Sequence, residues 1–274
     1  MSSVHPEIDA RSAALRALVE ARHSDPFAVL GPHRDTAGTV IRAFQPSARM
    51  MEVRLIEPRE LRPMVRVDPA GLYEVRLPPG PAADSSPDYR LRITFPGDLV
   101  SEIDDAYRYG RVLADFDLHL FAEGTHRRAY DKLGSHRIRV GSTTGVHFAV
   151  WAPNAERVSV IGDFNGWDGR VHPMRALWPS GVWEIFIPDL ADGQKYKFEI
   201  RARGGRILRK SDPYAVAFEV PPQSASVVRD ISGYQWRDEH WMATRAERNR
   251  LAFRSTSSAI TYFKIPRGTT KLAG

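Results

Sequence analysis

The stretch Asp163-Phe164-Asn165-Gly166-Trp167-Asp168 sets one indole among two carboxylates and an amide. A pyranose ring has an apolar face of C–H groups, and a flat aromatic is its natural partner. Asp163, Asn165 and Asp168 have the donors and acceptors to bond the hydroxyls around such a ring. An exposed indole in that setting could bind such a ring without covalent chemistry. Asn165-Gly166 is a hairpin signal, because both residues adopt positive φ, and such a turn would display Trp167 at the edge of a sheet. The competing placement folds Trp167 back as a core aromatic, as tryptophans mostly are. Both placements are open at this point.

Other polar residues do not gather into a reaction centre. No His/Asp/Glu cluster has zinc spacing. No phosphate loop and no nucleophile elbow is present. Asp104, Asp105 and Asp212 fall near strand or turn ends, where carboxylates cap turns. The chain has no cysteine, which excludes disulfides and thiolate metal sites. No catalytic residue, metal or cofactor follows from the sequence.

Displaying such a turn needs a rigid scaffold, and 274 residues suffice for about two domains. Hydrophobic residues at 42% and charged residues at 26% are ordinary for a soluble globular protein. The net charge of +6 is carried mainly by arginine. Arg42, Arg49, Arg54, Arg62, Arg66 and Arg76 fall at strand-like intervals, which reads as a solvated sheet face, and no nucleic acid partner is expected. No apolar run approaches the roughly 18 residues of a membrane span, and residues 1–14 lack the apolar core of a secretory signal. The expectation is a cytoplasmic protein with no membrane contact.

The chain repeats itself. Leu30-Gly31-Pro32-His33 returns as Leu133-Gly134-Ser135-His136, and Ala43-Phe44-Gln45-Pro46 as Val150-Trp151-Ala152-Pro153. Gly71-Leu72-Tyr73-Glu74-Val75 returns as Gly181-Val182-Trp183-Glu184-Ile185. Tyr89 to Ile93 returns as Tyr196 to Ile200, and Asp105-Ala106-Tyr107 as Asp212-Pro213-Tyr214. The offset stays between 103 and 110 residues and order is kept, which is a duplicated domain rather than a solenoid. His33 and His136 occupy equivalent places, so a shared structural role is expected for them.

Each copy reads as all-β. Val146–Trp151, Val158–Gly162, Gly181–Ile187 and Lys195–Arg201 are strand patterns punctuated by Pro and Gly. Trp151, Tyr73, Trp183, Tyr196 and Phe198 sit in those patterns and are expected to pack in cores. The predicted architecture is two tandem immunoglobulin-like β-sandwiches with a short N-terminal helix over 8–21 and a partly helical connector. The expected boundaries are a first module over 1–108, a connector over 109–136 and a second module over 137–229. A lead-in and a disordered or loosely packed tail follow over 230–274.

The connector motifs Phe116-Asp117-Leu118-His119-Leu120-Phe121-Ala122-Glu123-Gly124 and Tyr130-Asp131-Lys132-Leu133-Gly134-Ser135-His136 resemble the segment between the N-terminal modules of bacterial glycogen branching enzymes. Gly145–Pro153 and Val158–Trp167 resemble the signature of the family 48 carbohydrate-binding module, and Asp25-Pro26-Phe27 with Leu30–His33 is similar to the start of the first module. The resemblance covers about residues 20–243.

The resemblance implies the N-terminal portion of a 1,4-α-glucan branching enzyme of glycogen biosynthesis, a transferase family. It also implies auxiliary binding of an α-glucan, glycogen or a starch-like polysaccharide, by the second module. In sugar-binding relatives of that module a lysine in the strand position of Lys197 joins the aromatic, so the implied glucan-binding residues are Trp167, Lys197 and Asn165. Those relatives add an aromatic in the next hairpin. Here Gly204-Gly205-Arg206-Ile207-Leu208 has none, and the first copy reads Leu55-Ile56-Glu57-Pro58-Arg59 in place of the Trp turn. The family's catalytic barrel does not fit in this length, so the chain alone is expected to be inactive, with a separate barrel chain as a candidate partner. The tail over 250–274 shows no barrel start, which suggests a frameshift or truncated gene. Alternatives are a free-standing glycogen-binding scaffold and a truncated debranching or trehalose-forming relative.

Overall fold

In the computed structural model, which describes residues 6–79, 87–235 and 237–245, the period-two segments form antiparallel sheets. The N-terminal helix α1 (Pro6–Val19) starts and ends two residues earlier than expected. The first sandwich holds β1 (Gly31–Asp35), β2 (Gly38–Phe44), β3 (Met50–Leu55), β4 (Glu60–Pro63), β5 (Val65–Asp68), β6 (Leu72–Leu77), β7 (Tyr89–Thr94) and β8 (Val100–Ile103). One sheet runs β1-β2-β6-β5 and the other β4-β3-β7-β8. Between them lie Ile41, Ala43, Tyr73 and Leu77 from the first sheet, and Met51, Val53, Tyr89, Leu91 and Ile93 from the second. Strand β2 is buried along its whole length because its outer face is covered as well. Leu15, Leu18 and Val19 of α1 pack there against Phe44 and Leu72. Each such side chain removed from water stabilises by about 1.5–3 kcal/mol, which outweighs the weak intrinsic stability of a short helix.

The second sandwich holds β9 (Gly134–Val140), β10 (Thr143–Trp151), β11 (Ala155–Gly162), β12 (Arg175–Leu177), β13 (Val182–Pro188), β14 (Lys195–Ala202), β15 (Ile207–Lys210) and β16 (Ser226–Val227). Its sheets run β12-β13-β10-β9 and β11-β14-β15, with β16 pairing the first two residues of β14, Lys195 and Tyr196. Val146, Phe148, Val150, Trp183 and Ile185 face Val158, Val160, Tyr196 and Phe198 across the core. The connector contains α2 (Asp115–Glu123), closed by Gly124 at φ 71°, a left-handed conformation that glycine adopts without penalty. Leu113, Leu118, Phe121, Ala129 and Leu133 lay the connector on Ala149, Leu177 and Val182, on the outer face of β10, β12 and β13. Glu184 fastens it: this buried carboxylate accepts the backbone N–H groups of Val112 at 3.1 Å and Leu113 at 3.0 Å, and binds His147 Nε2 at 3.0 Å.

The duplication persists in the hydrogen bonds. His33 Nε2 meets Leu30 O at 2.9 Å, and His136 Nε2 meets Leu133 O at 3.0 Å, the shared structural role expected of the two histidines. The Tyr73 hydroxyl donates to Ala48 O at 2.8 Å, and the Trp183 indole donates to Ala152 O at 3.0 Å. Tyr73, Trp183, Tyr196 and Phe198 lie in the cores. Trp151 does not: it is 56% exposed. Strand alternation directs Val146, Phe148 and Val150 inward, so Trp151 must point outward at the strand end.

The sandwiches also meet each other. Ala106 and Tyr107, which follow β8, pack against the second core. Tyr107 stacks edge-on with Phe27 at 5.0 Å. Arg90 pairs with Asp189 at 2.6 Å, a half-exposed contact worth at most about 1 kcal/mol. From residue 231 the described residues form a second unit with a short helix α3 (Glu239–Thr244). The tail over 250–274, expected to be disordered or loosely packed, lies outside the described residues. No helix among the described residues is long and apolar enough to cross a membrane.

Candidate functional site

Strand β11 ends at Gly162, which pairs with Tyr196 on β14, the residue between Lys195 and Lys197. The chain then makes a single 3-10 turn over Asp163–Asn165 instead of a two-residue hairpin. Asn165 explains the difference. Its side-chain Oδ1 accepts the Gly162 N–H at 2.9 Å, which closes the turn from inside. Its Nδ2 donates to Val160 O and to His172 Nδ1, both at 2.9 Å. Val160 O can only accept and Gly162 N–H can only donate, so the amide orientation is unambiguous.

Gly166 at φ 62° and Trp167 at φ 60° follow, two left-handed residues in succession. A bulky side chain in that region is strained by roughly 1–2 kcal/mol. The conformation is held by Trp167 N–H donating to Gly162 O at 2.9 Å and by the indole Nε1 donating to Asp163 Oδ1 at 2.8 Å. Trp167 is therefore neither a core residue nor a free surface residue. It is half-buried, with its one polar atom already satisfied and part of its ring in solvent.

Beneath the loop sits Arg157, whose guanidinium donates to Ser159 Oγ at 2.5 Å, to Gly169 O, and to Glu199 at 2.8 Å. This pairing buries Glu199 and breaks the period-two pattern of β14, where a solvated residue is expected. Asp168 closes on Arg170; burial would raise its carboxyl, but the Arg170 hydrogen bonds outweigh it and hold it below the ordinary value. His172 is pushed down by burial to about 4, so its imidazole is neutral and its Nδ1 is an acceptor for Asn165.

Lys197 faces away from the core, opposite in sense to Tyr196 and Phe198, and donates from Nζ to Ser224 Oγ at 2.9 Å. Lys195, on the same face, pairs with Glu219 at 2.8 Å. The Glu219 hydrogen bond raises the Lys195 ammonium, with a smaller contribution from the charge of Asp163. Trp167 and Asn165 thus share one turn, and Lys197 lies on the neighbouring strand, paired with Ile161 just before that turn. Trp167 offers an aromatic face and Lys197 a cationic donor, while the amide hydrogens of Asn165 are both spent inside the protein. Sequence reasoning did not single out Lys195, Glu219 and Ser224, the ion-pair and hydrogen-bond neighbours on this face; the i, i+2 spacing of Lys195 and Lys197, which puts both on one face of the strand, was the available signal. Among the described residues no group of three His, Asp or Glu side chains could hold a metal.

A separate shallow groove of about 420 Å³ lies between the connector and the second sandwich, lined by Phe121, His126, Leu133, Trp151 and Tyr214. It holds the exposed Trp151 ring, whose Nε1 donates to Ser180 O at 3.1 Å.

Comparison with known proteins finds relatives for both halves of the chain. Residues 11–107 match the N-terminal domain of alpha-1,4-glucan branching enzyme GlgB. Residues 132–215, which include the turn and both lysines, match carbohydrate-binding module 48, the isoamylase N-terminal domain. A 1,4-alpha-glucan branching enzyme GlgB of Paramagnetospirillum magneticum is 50% identical over 240 residues, covering 87% of this chain and 31% of the relative. The corresponding protein of Rhodospirillum rubrum is 45% identical over 272 residues, covering 97% of this chain and 36% of the relative. That second alignment extends into the tail, where the sequence alone showed no kinship. The chain spans about a third of the length of these curated relatives. It carries the N-terminal region of the 1,4-alpha-glucan branching enzyme GlgB family, with a GlgB N-terminal domain followed by a family 48 carbohydrate-binding module.

Proposed function

We propose that the chain is the α-glucan-binding front portion of a 1,4-α-glucan branching enzyme of glycogen biosynthesis, acting in the cytoplasm. The second sandwich holds a glucose unit of an α-glucan against Trp167, with Lys197 donating to its hydroxyls. Asn165 belongs to this site as its internal brace. The single observation that carries the reading is the Trp167 ring, held half in solvent by a strained turn beside a lysine-bearing strand. A protein that wanted only packing from this residue would not keep it at φ 60°. Cleavage and transfer of the glucan chain are assigned to the two thirds of the relatives' length that this chain does not span, whether joined to it or supplied by a separate chain. Relatives at 45–50% identity carry the branching-enzyme name, which favours this reading over a debranching or trehalose-forming origin.

Co-sedimentation with glycogen and titration with maltoheptaose test it. Trp167→Ala is expected to weaken binding roughly tenfold or more, the loss of one stacked ring and its water exclusion. Lys197→Met is expected to weaken it by a smaller factor. Wild-type affinity in Trp167→Ala refutes the site. Branching activity of the chain on its own would overturn the division of labour.

A further inference from the structure

We infer that His172 is a positioning residue for the glucan site, and that Tyr107, on the segment leaving the first sandwich, holds it in place. This rests on the reading that Trp167 contacts the glucan. The argument begins at the ring and works inward. Trp167 N–H is tied to Gly162 O at 2.9 Å, and Gly162 N–H is tied to Asn165 Oδ1 at 2.9 Å. Asn165 in turn spends one amide hydrogen on His172 Nδ1 at 2.9 Å. The imidazole also lies against Phe164, the middle residue of the turn, with ring centroids 5.7 Å apart. His172 therefore touches the turn at two of its residues and reaches Trp167 only through them.

His172 is itself clamped by its neighbours. Its carbonyl accepts Val160 N–H at 3.1 Å. The Tyr107 hydroxyl lies 3.2 Å from both Val171 O and Pro173 O, the carbonyls on either side of His172, and shares its proton between them. Tyr107 comes from the first copy of the repeat, so the first sandwich contributes a prop to the sugar turn of the second.

The duplication supplies an internal control. Arg62-Pro63-Met64 is the counterpart of His172-Pro173-Met174. Met64 N–H donates to Met51 O at 2.9 Å, as Met174 N–H donates to Val158 O at 2.8 Å. Pro63 pairs with Glu52 as Pro173 pairs with Ser159. In the first copy the turn from β3 to β4 has neither Asn nor Trp, and the histidine position is Arg62, turned to solvent and paired with Glu60 at 2.9 Å. The backbone frame is common to both copies. The imidazole is found only in the copy that has a tryptophan to hold.

The test is maltoheptaose affinity alongside thermal unfolding for His172→Phe, His172→Gln, Tyr107→Phe and Trp167→Ala. His172→Phe keeps an aromatic ring but removes the acceptor, and is expected to weaken binding roughly tenfold, since Asn165 is left with an unmet donor. His172→Gln restores an acceptor and is expected to return the Kd to within about threefold of wild type. Tyr107→Phe is expected to weaken binding about threefold. A wild-type Kd in His172→Phe overturns the inference, as does equal weakening by Phe and Gln, which marks a merely structural role. Should His172→Phe fail to fold, Tyr107→Phe decides: an unchanged Kd there overturns the proposal. If Trp167→Ala binds like wild type, the underlying site reading falls. If Trp167→Ala is weak and His172→Phe is not, only the positioning role falls.

Discussion

The Tyr196 hydroxyl donates to Asp212 Oδ2 at 2.5 Å across the buried end of the second sandwich. Tyr89 makes the same bond to Asp105 at 2.6 Å in the first. Each aspartate uses its other oxygen to accept a backbone N–H two residues on, from Tyr214 at 2.8 Å and from Tyr107 at 2.9 Å. The carboxylates thus cap turns, as their place in the sequence suggested, and tie each turn to a core tyrosine.

This capping has a pH signature. Burial pushes Asp105 up to about 6 despite its hydrogen bonds from Tyr89 and Tyr107. The folded protein then holds the proton more tightly than the unfolded chain, whose carboxyl titrates near 4. The stabilisation from this proton is full below about pH 4 and lost as pH rises to about 6, on the order of 3 kcal/mol at most. Denaturant midpoints of wild type and Asp105→Asn compared across that window check it. The wild type is expected to lose ground as pH rises, and parallel curves would contradict the prediction.

Trp167 is expected to reverse a familiar order. Glycine is normally less stable than alanine, because it loses more backbone freedom on folding. At φ 60° an alanine keeps the left-handed strain and a glycine does not. Trp167→Gly is therefore expected to be more stable than Trp167→Ala by about 1 kcal/mol, with both failing to bind glucan. Urea unfolding of the two variants measures the difference. An alanine variant as stable as the glycine variant would mean that the turn relaxes once the ring is gone.

Glu184 is the expected weak point of the connector. It is fully buried and binds Val112 N–H, Leu113 N–H and His147, with Arg175 Nε at 3.3 Å. Glu184→Ala strands the Arg175 charge and two backbone donors, at a cost of about 3–5 kcal/mol. Limited trypsin digestion is expected to cut sooner at the exposed Arg127 and Arg128 in this variant. An unchanged digestion rate would show that the apolar contacts of Leu118 and Phe121 hold the connector unaided.

Much of this was legible in the sequence because the duplication doubled every signal. The strands, the cores around Tyr73 and Trp183, and the placement of His33 and His136 follow from alternation and from paired motifs. What escaped had physical reasons. Asn-Gly marks a hairpin by backbone preference, but the Asn165 side chain closes a 3-10 turn by bonding within it. A residue type cannot reveal whether its amide serves the turn or a ligand. Trp151 was misplaced because its neighbour Val150 already claims the inward side. Glu199 is buried by Arg157, a pairing set by a loop twelve residues further along the chain from Arg157 at Gly169. The groove at Trp151 needs two distant segments to meet, which no local pattern encodes.

Ala106, placed in the chain before α2, completes the core of the second sandwich, and Tyr107 packs beside it. The two modules are therefore expected to melt together rather than as independent domains. Unfolding the first would withdraw a filler from the second and open a cavity there, which couples the stabilities of the two hydrophobic centres. During synthesis the first sandwich gains nothing from this contact until the second has emerged, whereas the second emerges onto a partner already waiting.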